Sequence, residues 1–360
     1  MSRDLRFNWY APTHGDGRLI GGHDAELTWS PQYVNRVALR AEEAGCDGIL
    51  LPVGPTCADA IVTAAHIALS TERLRVIVAL RTGAILPTIA AKSLATLSHV
   101  APHRIAANIV TGASPMELAM DGDALPHADR YERTSEFIHV LRRSWTHESC
   151  DYAGKFFTVS NAHFAPTPIS TIPVYLGGAS DAAVTTAARY ADTYLMWGEP
   201  AAAVAQQCER VRLCAEMEGR QIRCGLRINL IVDTTRERAW SRAHSGLQAV
   251  SHKQRVSAAE YIRDSDSEGL RRIQETQTAP IDEHSPYWTG MVPFRSGNST
   301  ALVGSPEEVS DALAQYVTAG VDEFIFSSYP HDETSELVGK EVLPRLRSQF
   351  PSYLPDWSGR

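Results

Sequence analysis

Short apolar runs separated by amphipathic stretches set the rhythm of this chain. Leu5–Ala11, Gly48–Pro52, Leu74–Leu80, Arg104–Val110, Ile172–Leu176, Thr193–Trp197, Arg223–Val232 and Phe324–Ser328 are apolar through their centres. They read as short strands buried on both faces, as parallel strands are. Between them the apolar spacing turns helical. Ser30-Pro31 opens a helix with serine as N-cap and proline at its first position, Val34, Val37, Ala38 and Ala41 keep one face, and Gly45 stops it. Further helices are expected over Asp59–Ser70, over Pro87–Val100, after Ser180, over Ala201 to about Glu218 and over Arg236 to about Val250. The sequence Ser305-Pro306-Glu307-Glu308 is a capping box that opens another.

Three stretches break this alternation. A polar insertion over Met116–Arg133 leads into a helix ending near Trp145, and Asp151–Ala165 reads as a short hairpin. The region from His252 to about Asn298 is too long and polar for an ordinary connection, so residues 251–299 are assigned as an insertion after the seventh strand. Eight strands alternating with helices predict an α/β fold, a (β/α)8 TIM barrel with insertions, as one domain over residues 1–360. A doubly wound open sheet is the rival. It is disfavoured by the count of eight and by the lack of Gly-x-Gly-x-x-Gly after the first strand.

Charge and cysteine content narrow the class. The formal net charge of -8 gives no reason to expect nucleic acid or an anionic membrane as partner. No apolar run reaches the roughly 18 residues of a membrane span. The N-terminal sequence has no apolar core or small-residue cleavage site of a signal peptide. The six cysteines include no Cys-x-x-Cys pair, which fits reduced thiols in a cytoplasmic protein.

Barrels of this kind carry their sites at the C-terminal strand ends. Those ends hold His14, Cys57, Arg81, Asn108, Thr111, Gly177–Ser180, Trp197, Arg227, Asn229, Tyr329 and His331. With no carboxylate pair and no dense His/Asp/Glu cluster among them, glycoside chemistry and metal-assisted hydrolysis are not expected. Arg227 and Asn229, two apart on a strand, share a face, and a cation there needs an internal carboxylate or a bound anion. Gly177-Gly178-Ala179-Ser180, at a strand-to-helix turn, is either a phosphate cradle or a plain tight turn capped by Ser180. Cys57 is a nucleophile or a pocket-lining thiol, and Tyr329 a proton donor or a packed ring. His14 and His331 are acid/base groups, cationic anchors or satisfied loop side chains. Arg295 is a solvated loop charge or a closing group on a mobile segment. Trp9, Tyr10, Trp197 and Trp288 either shape a pocket or only pack, and Cys208 and Cys214 read as packing residues.

Nine segments, weak singly and specific in their order, carry a resemblance. They are PTHGDG at Pro12–Gly17, GPTC at Gly54–Cys57, VALR at Val78–Arg81, NIVTG at Asn108–Gly112, DRYER at Asp129–Arg133, YLGGAS at Tyr175–Ser180, MWGEP at Met196–Pro200, TALVG at Thr300–Gly304 and SSYPH at Ser327–His331. From Phe7 to about Phe350 the chain resembles the bacterial luciferase-like flavin monooxygenases, and within them the two-component alkanesulfonate monooxygenases. The resemblance implies FMN, supplied in reduced form by a separate NAD(P)H-dependent flavin reductase, with O2 as co-substrate. It implies oxygenation and desulfonation of a small organosulfonate, giving sulfite and an aldehyde, and a homodimer or homotetramer. By position, Arg227 and Arg295 would hold the sulfonate, the latter from a lid formed by the insertion. Cys57, His14, Tyr329 and His331 would line the flavin–substrate cavity, and Asn108, Thr111, Tyr131, Gly178, Ala179 and Ser180 would bind FMN. The sulfonate enzymes carry histidine where this chain has Asn229, which leaves this site less cationic. Oxygenation of a sulfone or other neutral compound is the alternative substrate reading. A deazaflavin-dependent oxidoreductase of the same superfamily is a further alternative, and a non-catalytic flavin-binding or storage protein is the alternative from another class.

Overall fold

In the computed structural model, residues 5–22, 27–146, 149–278, 281–295 and 297–351 are described. The strands are β1 (Arg6–Tyr10), β2 (Gly48–Leu51), β3 (Arg75–Arg81), β4 (Ile105–Val110), β5 (Ser149–Ala153), β6 (Thr158–His163), β7 (Val174–Gly177), β8 (Thr193–Trp197), β9 (Arg223–Val232), β10 (Tyr287–Trp288), β11 (Ala301–Gly304) and β12 (Glu323–Ser327). Strands β1, β2, β3, β4, β7, β8, β9 and β12 pair in parallel in that order, and β12 pairs with β1, which closes an eight-stranded barrel. The expected (β/α)8 fold is therefore the observed one. Its interior is filled by Tyr10, Leu50, Ile77, Ala106, Tyr175 and Ile325 with Leu195 against them, so it is a packed core rather than a pore. Near the N-terminal strand ends Oε1 of the fully buried Glu323 accepts from Asn8 Nδ2 at 2.7 Å and from the Tyr175 hydroxyl at 2.8 Å, and Arg223 Nε lies 3.8 Å from Oε2.

The helices are α1 (Pro31–Glu43), α2 (Ala60–Ser70), α3 (Pro87–Val100), α4 (Pro115–Met120), α5 (His127–Thr146), α6 (Asp181–Tyr190), α7 (Ala201–Met217), α8 (Arg236–Ala249), α9 (His252–Asp264), α10 (Glu268–Glu275), α11 (Pro306–Thr318), α12 (His331–Leu337) and α13 (Leu343–Gln349). Local rules place their starts. Ser30 Oγ accepts from Tyr33 N at α1, and Ser305 with Glu308 forms the expected reciprocal box at α11. Val34, Val37, Ala38 and Ala41 are buried against the sheet, as their spacing predicts. The hairpin is present as β5 and β6. All six cysteines are free, and among the described residues no helix is long and apolar enough to cross a membrane.

The two polar insertions are more ordered than their composition suggests. Most of Met116–Arg133 is helical, divided between α4 and the start of α5. The segment after β9 holds α9, α10 and β10, and it is followed by β11, a strand absent from the sequence reading. Strand β9 is long enough for two neighbours along one edge. Its residues Arg223–Arg227 pair with β8, and Asn229–Val232 pair with β11 beyond the end of β8. The segment is tied to the barrel by ion pairs. Arg272 Nη2 lies 2.7 Å from Glu199 Oε2, and Arg130 Nη2 lies 2.5 Å from Asp266 Oδ2.

Candidate active site

A cavity of about 280 Å³ opens at the C-terminal strand ends, close to the lower end of the range for small-molecule sites. Asn108 and Thr111 reach it from β4 and the turn after it, Tyr131 from α5, Gly177–Ser180 from the end of β7, and Trp197 and Arg227 from β8 and β9. Tyr261 of α9 and Ser267–Gly269 at the start of α10 close its outer side. The sequence-predicted cofactor residues are thus on one cavity.

Backbone geometry makes the Gly177–Ser180 turn specific. Gly178 has φ +140°, and a Cβ there would lie 2.5 Å from the Tyr131 hydroxyl and 2.7 Å from Ala183 Cβ. The Gly178 carbonyl accepts from the Tyr194 hydroxyl, and Ser180 Oγ caps α6 by accepting from Ala183 N. Asp181 in the first helical turn points outward and pairs with Arg210. The turn therefore presents backbone to the cavity with no side chain at Gly178 and with its own Asp181 turned outward, a cradle suited to a phosphate at a helix N-terminus, while Glu117, Glu199 and Glu268 line other parts of the cavity.

Beside this cavity, and joined to it by Arg227, is a compact polar and aromatic cluster centred on Tyr10. Arg227 Cζ stacks 4.1 Å from the Tyr10 ring centre, and the rings of His14 and His331 lie 6.2 and 6.0 Å from it. Tyr329 packs edge-on to His331 at 5.0 Å, and Arg295 Cζ lies 5.2 Å from the Tyr329 ring. Among the described residues neither Arg227 nor Arg295 has a carboxylate partner. Desolvation together with Arg295, His331 and Arg227 lowers the His14 imidazole from its ordinary value to about 4, so it is neutral at pH 7. The residue is exposed to solvent at the edge of the cluster. Burial raises the Cys57 thiol above its ordinary value, with Thr13 and Arg227 opposing, which does not describe an activated thiolate.

Asn229 is anchored through its side-chain nitrogen, while its Oδ1 has no partner among the described residues. It is fully buried and spends its amide on the backbone, donating to Thr300 O at 2.7 Å and Asn298 O at 3.2 Å. It fastens β9 to the residues before β11 instead of joining the cluster. Arg81 is likewise occupied, paired to Asp121 at 2.6 Å and Glu117 at 3.3 Å. Trp9 and Trp288 are fully buried packing residues, whereas Trp197 and Tyr10 face the site.

Two further residues escaped sequence reasoning. Asp16 accepts from His331 N at 2.8 Å, lies 2.9 Å from His331 Nδ1, and accepts from the Tyr33 hydroxyl. Burial pushes the Asp16 carboxyl up, and its contacts with His331 and Tyr33 outweigh that, so it lies below its ordinary value. Asp16 stands inside the PTHGDG segment, which was the one available signal. Glu199, in MWGEP, anchors Arg272 and also accepts from Gln207 at 2.9 Å.

The sequence model described as luciferase-like monooxygenase matches residues 5–323. The chain belongs to the luciferase-like monooxygenase family. It is an enzyme of that family's flavin-dependent oxidoreductase class. Solved structures share the fold at low identity. A long-chain alkane monooxygenase has a TM-score of 0.80 at 19% identity, covering 100% of this chain and 94% of its own. A riboflavin lyase solved with modified FMN and riboflavin has a TM-score of 0.77 at 20% identity, covering 96% and 92%. An EDTA monooxygenase from Chelativorans sp. BNC1 has a TM-score of 0.75 at 19% identity, covering 96% and 94%.

Proposed function

We propose that this family member is a two-component monooxygenase that uses reduced FMN and O2 to oxygenate a small organosulfonate, releasing sulfite and an aldehyde. The observation that carries the reading is the pair of arginines at the cluster. Arg227 and Arg295 each stack on a tyrosine and, among the described residues, have no carboxylate to neutralise them. Two such guanidinium groups match the oxygens of one anionic head, and their planar forks suit sulfonate geometry. His14, held neutral, adds hydrogen-bonding capacity without further charge.

The neighbouring cavity supports FMN as the flavin. The Gly178 cradle and the α6 N-terminus would take the phosphate, and Asn108, Thr111 and Tyr131 would flank the remainder. Bound reduced flavin supplies the electrons for oxygen activation. A transferred flavin requires a separate NAD(P)H-dependent reductase as partner. Residues 251–299 act in this reading as a lid that excludes water from the reaction, with Tyr261 and Gly269 over the cavity and Arg272–Glu199 as its latch. Exposed Val62 and Leu69 on α2 and Leu86 and Ile89 at the start of α3 support assembly into a homodimer or homotetramer. Six free thiols accord with work in a reducing cytoplasm.

The test is sulfite release. The enzyme with a flavin reductase, NADH, FMN and oxygen should release sulfite from at least one of a panel of alkyl and aryl sulfonates. Flavin binding without sulfite from any of them would remove the desulfonation reading. Oxygen uptake stimulated instead by neutral sulfones would support the alternative substrate.

A further inference from the structure

His331 is fully buried at the start of α12, yet neither ring nitrogen makes an aligned hydrogen bond among the described residues, and only Nδ1 has an ion-pair contact, leaving Nε2 without either. Its other ring nitrogen faces a carboxylate that is unusually well supplied. Asp16 Oδ1 accepts from Gly17 N at 2.8 Å. Oδ2 accepts from His331 N at 2.8 Å and from the Tyr33 hydroxyl, and His331 Nδ1 approaches the same oxygen at 2.9 Å. A carboxylate receiving these donors is ionised and can only accept. A nitrogen at that distance must then bring the proton itself. The His331 ring packs 6.0 Å from Tyr10 and 5.0 Å from Tyr329, the two rings that carry Arg227 and Arg295, with Trp9 edge-on at 6.5 Å.

We propose that Asp16 is a positioning residue: it fixes His331 as the Nδ1–H tautomer and leaves Nε2 as the atom that accepts and returns a proton beside the bound anion. Tyr33 supports this by donating its hydroxyl to the same Asp16 oxygen. The arrangement couples the loop after β1 to the loop after β12, more than 300 residues apart in sequence, and it uses a carboxylate that touches no substrate. This rests on the functional reading above only for the location of the substrate.

The test separates the two. Nitrogen-15 spectra of the histidine-labelled protein, without flavin or substrate, report which ring nitrogen carries the proton. The neutral form of His331 should show protonated Nδ1 and unprotonated Nε2, and the opposite tautomer would overturn the proposal whatever the enzyme oxidises. In Asp16→Asn the amide oxygen stays where His331 N and Tyr33 donate but carries no charge, so the preference for the Nδ1–H tautomer should weaken. In the sulfite assay Asp16→Asn and His331→Asn should each lower kcat by about 10²-fold, in the range of a lost acid–base group. The double variant should be no slower than His331→Asn alone, and flavin affinity should stay within about two-fold throughout. Losses that multiply in the double variant would assign Asp16 a separate structural role. If Asp16→Asn does not fold, Tyr33→Phe takes its place: it keeps the carboxylate, so the tautomer should persist and kcat should fall by less than about ten-fold. Loss of the tautomer in Tyr33→Phe would contradict the proposal.

Discussion

Replacing Gly178 by alanine is the sharpest probe of the flavin site. The new Cβ would stand 2.5 Å from the Tyr131 hydroxyl and 2.7 Å from Ala183 Cβ, where ordinary carbon contacts need about 3.5–4.0 Å. Ala183 is in the first turn of α6 and its Cβ moves only with the helix, so the turn itself must retreat by about 1 Å. The φ of +140° adds strain of about 1–3 kcal/mol for any L side chain. A retreat of that size breaks at least one hydrogen bond to a phosphate, which costs about 1.5–3 kcal/mol and weakens FMN by roughly 10- to 100-fold. Riboflavin, which lacks the phosphate, provides the control. Fluorescence titrations of both flavins with wild type and Gly178→Ala should show the loss for FMN and little change for riboflavin. An unchanged FMN-to-riboflavin ratio would mean that Gly177–Ser180 is only a turn, and the phosphate assignment would be refuted.

Three other outcomes follow from the geometry. Arg227→Ala and Arg295→Ala should each raise the sulfonate KM by about ten-fold or more, since each removes a charged hydrogen-bond donor worth about 1.5–3 kcal/mol; unchanged kinetics in both would mean that the anion site is elsewhere. His14 is held near about 4 in the folded protein, against roughly 6.5 when unfolded. As pH falls through that window the unfolded chain takes up the proton first, so stability declines on the acid side. His14→Gln should then flatten the fall of Tm between roughly pH 6.5 and 4, and an unaltered slope would show that other groups cause it. Arg272→Ala should loosen the segment over the cavity and increase hydrogen peroxide formed per oxygen consumed in the coupled assay; unchanged coupling would show that the Arg272–Glu199 pair is not a latch.

The barrel was legible because each of its strands has a mostly apolar centre and recurs between helical stretches. Strand β11 was not, because its four residues lie between a polar segment and a capping box and resemble the lead-in to α11. Helices α9 and α10 were hidden for a related reason: Ala258 is the buried residue of α9, and Leu270 and Ile273 those of α10, too few to set a period. The site was legible where it sits at strand ends, as with Arg227, Asn108 and Gly178. It was not legible where side chains meet across the barrel mouth. Nothing local pairs Asp16 with His331, and nothing in the alternation of β9 says that Asn229 turns its amide to Thr300 while Arg227 faces the cavity. The strand pattern gives the face of a side chain, whereas its partner depends on the loop packed above it.

The account rests on a reduced flavin and an anion occupying adjoining parts of one site. The most direct test is anaerobic titration of the reduced-FMN complex with matched ligands, an alkanesulfonate and the neutral methyl sulfone of the same chain length, in wild type and in the Arg227→Ala/Arg295→Ala double variant. The account predicts that wild type prefers the sulfonate and that the double variant loses this preference while still binding reduced FMN. Equal binding of both ligands by wild type, or a sulfonate preference that survives loss of both arginines, would contradict it.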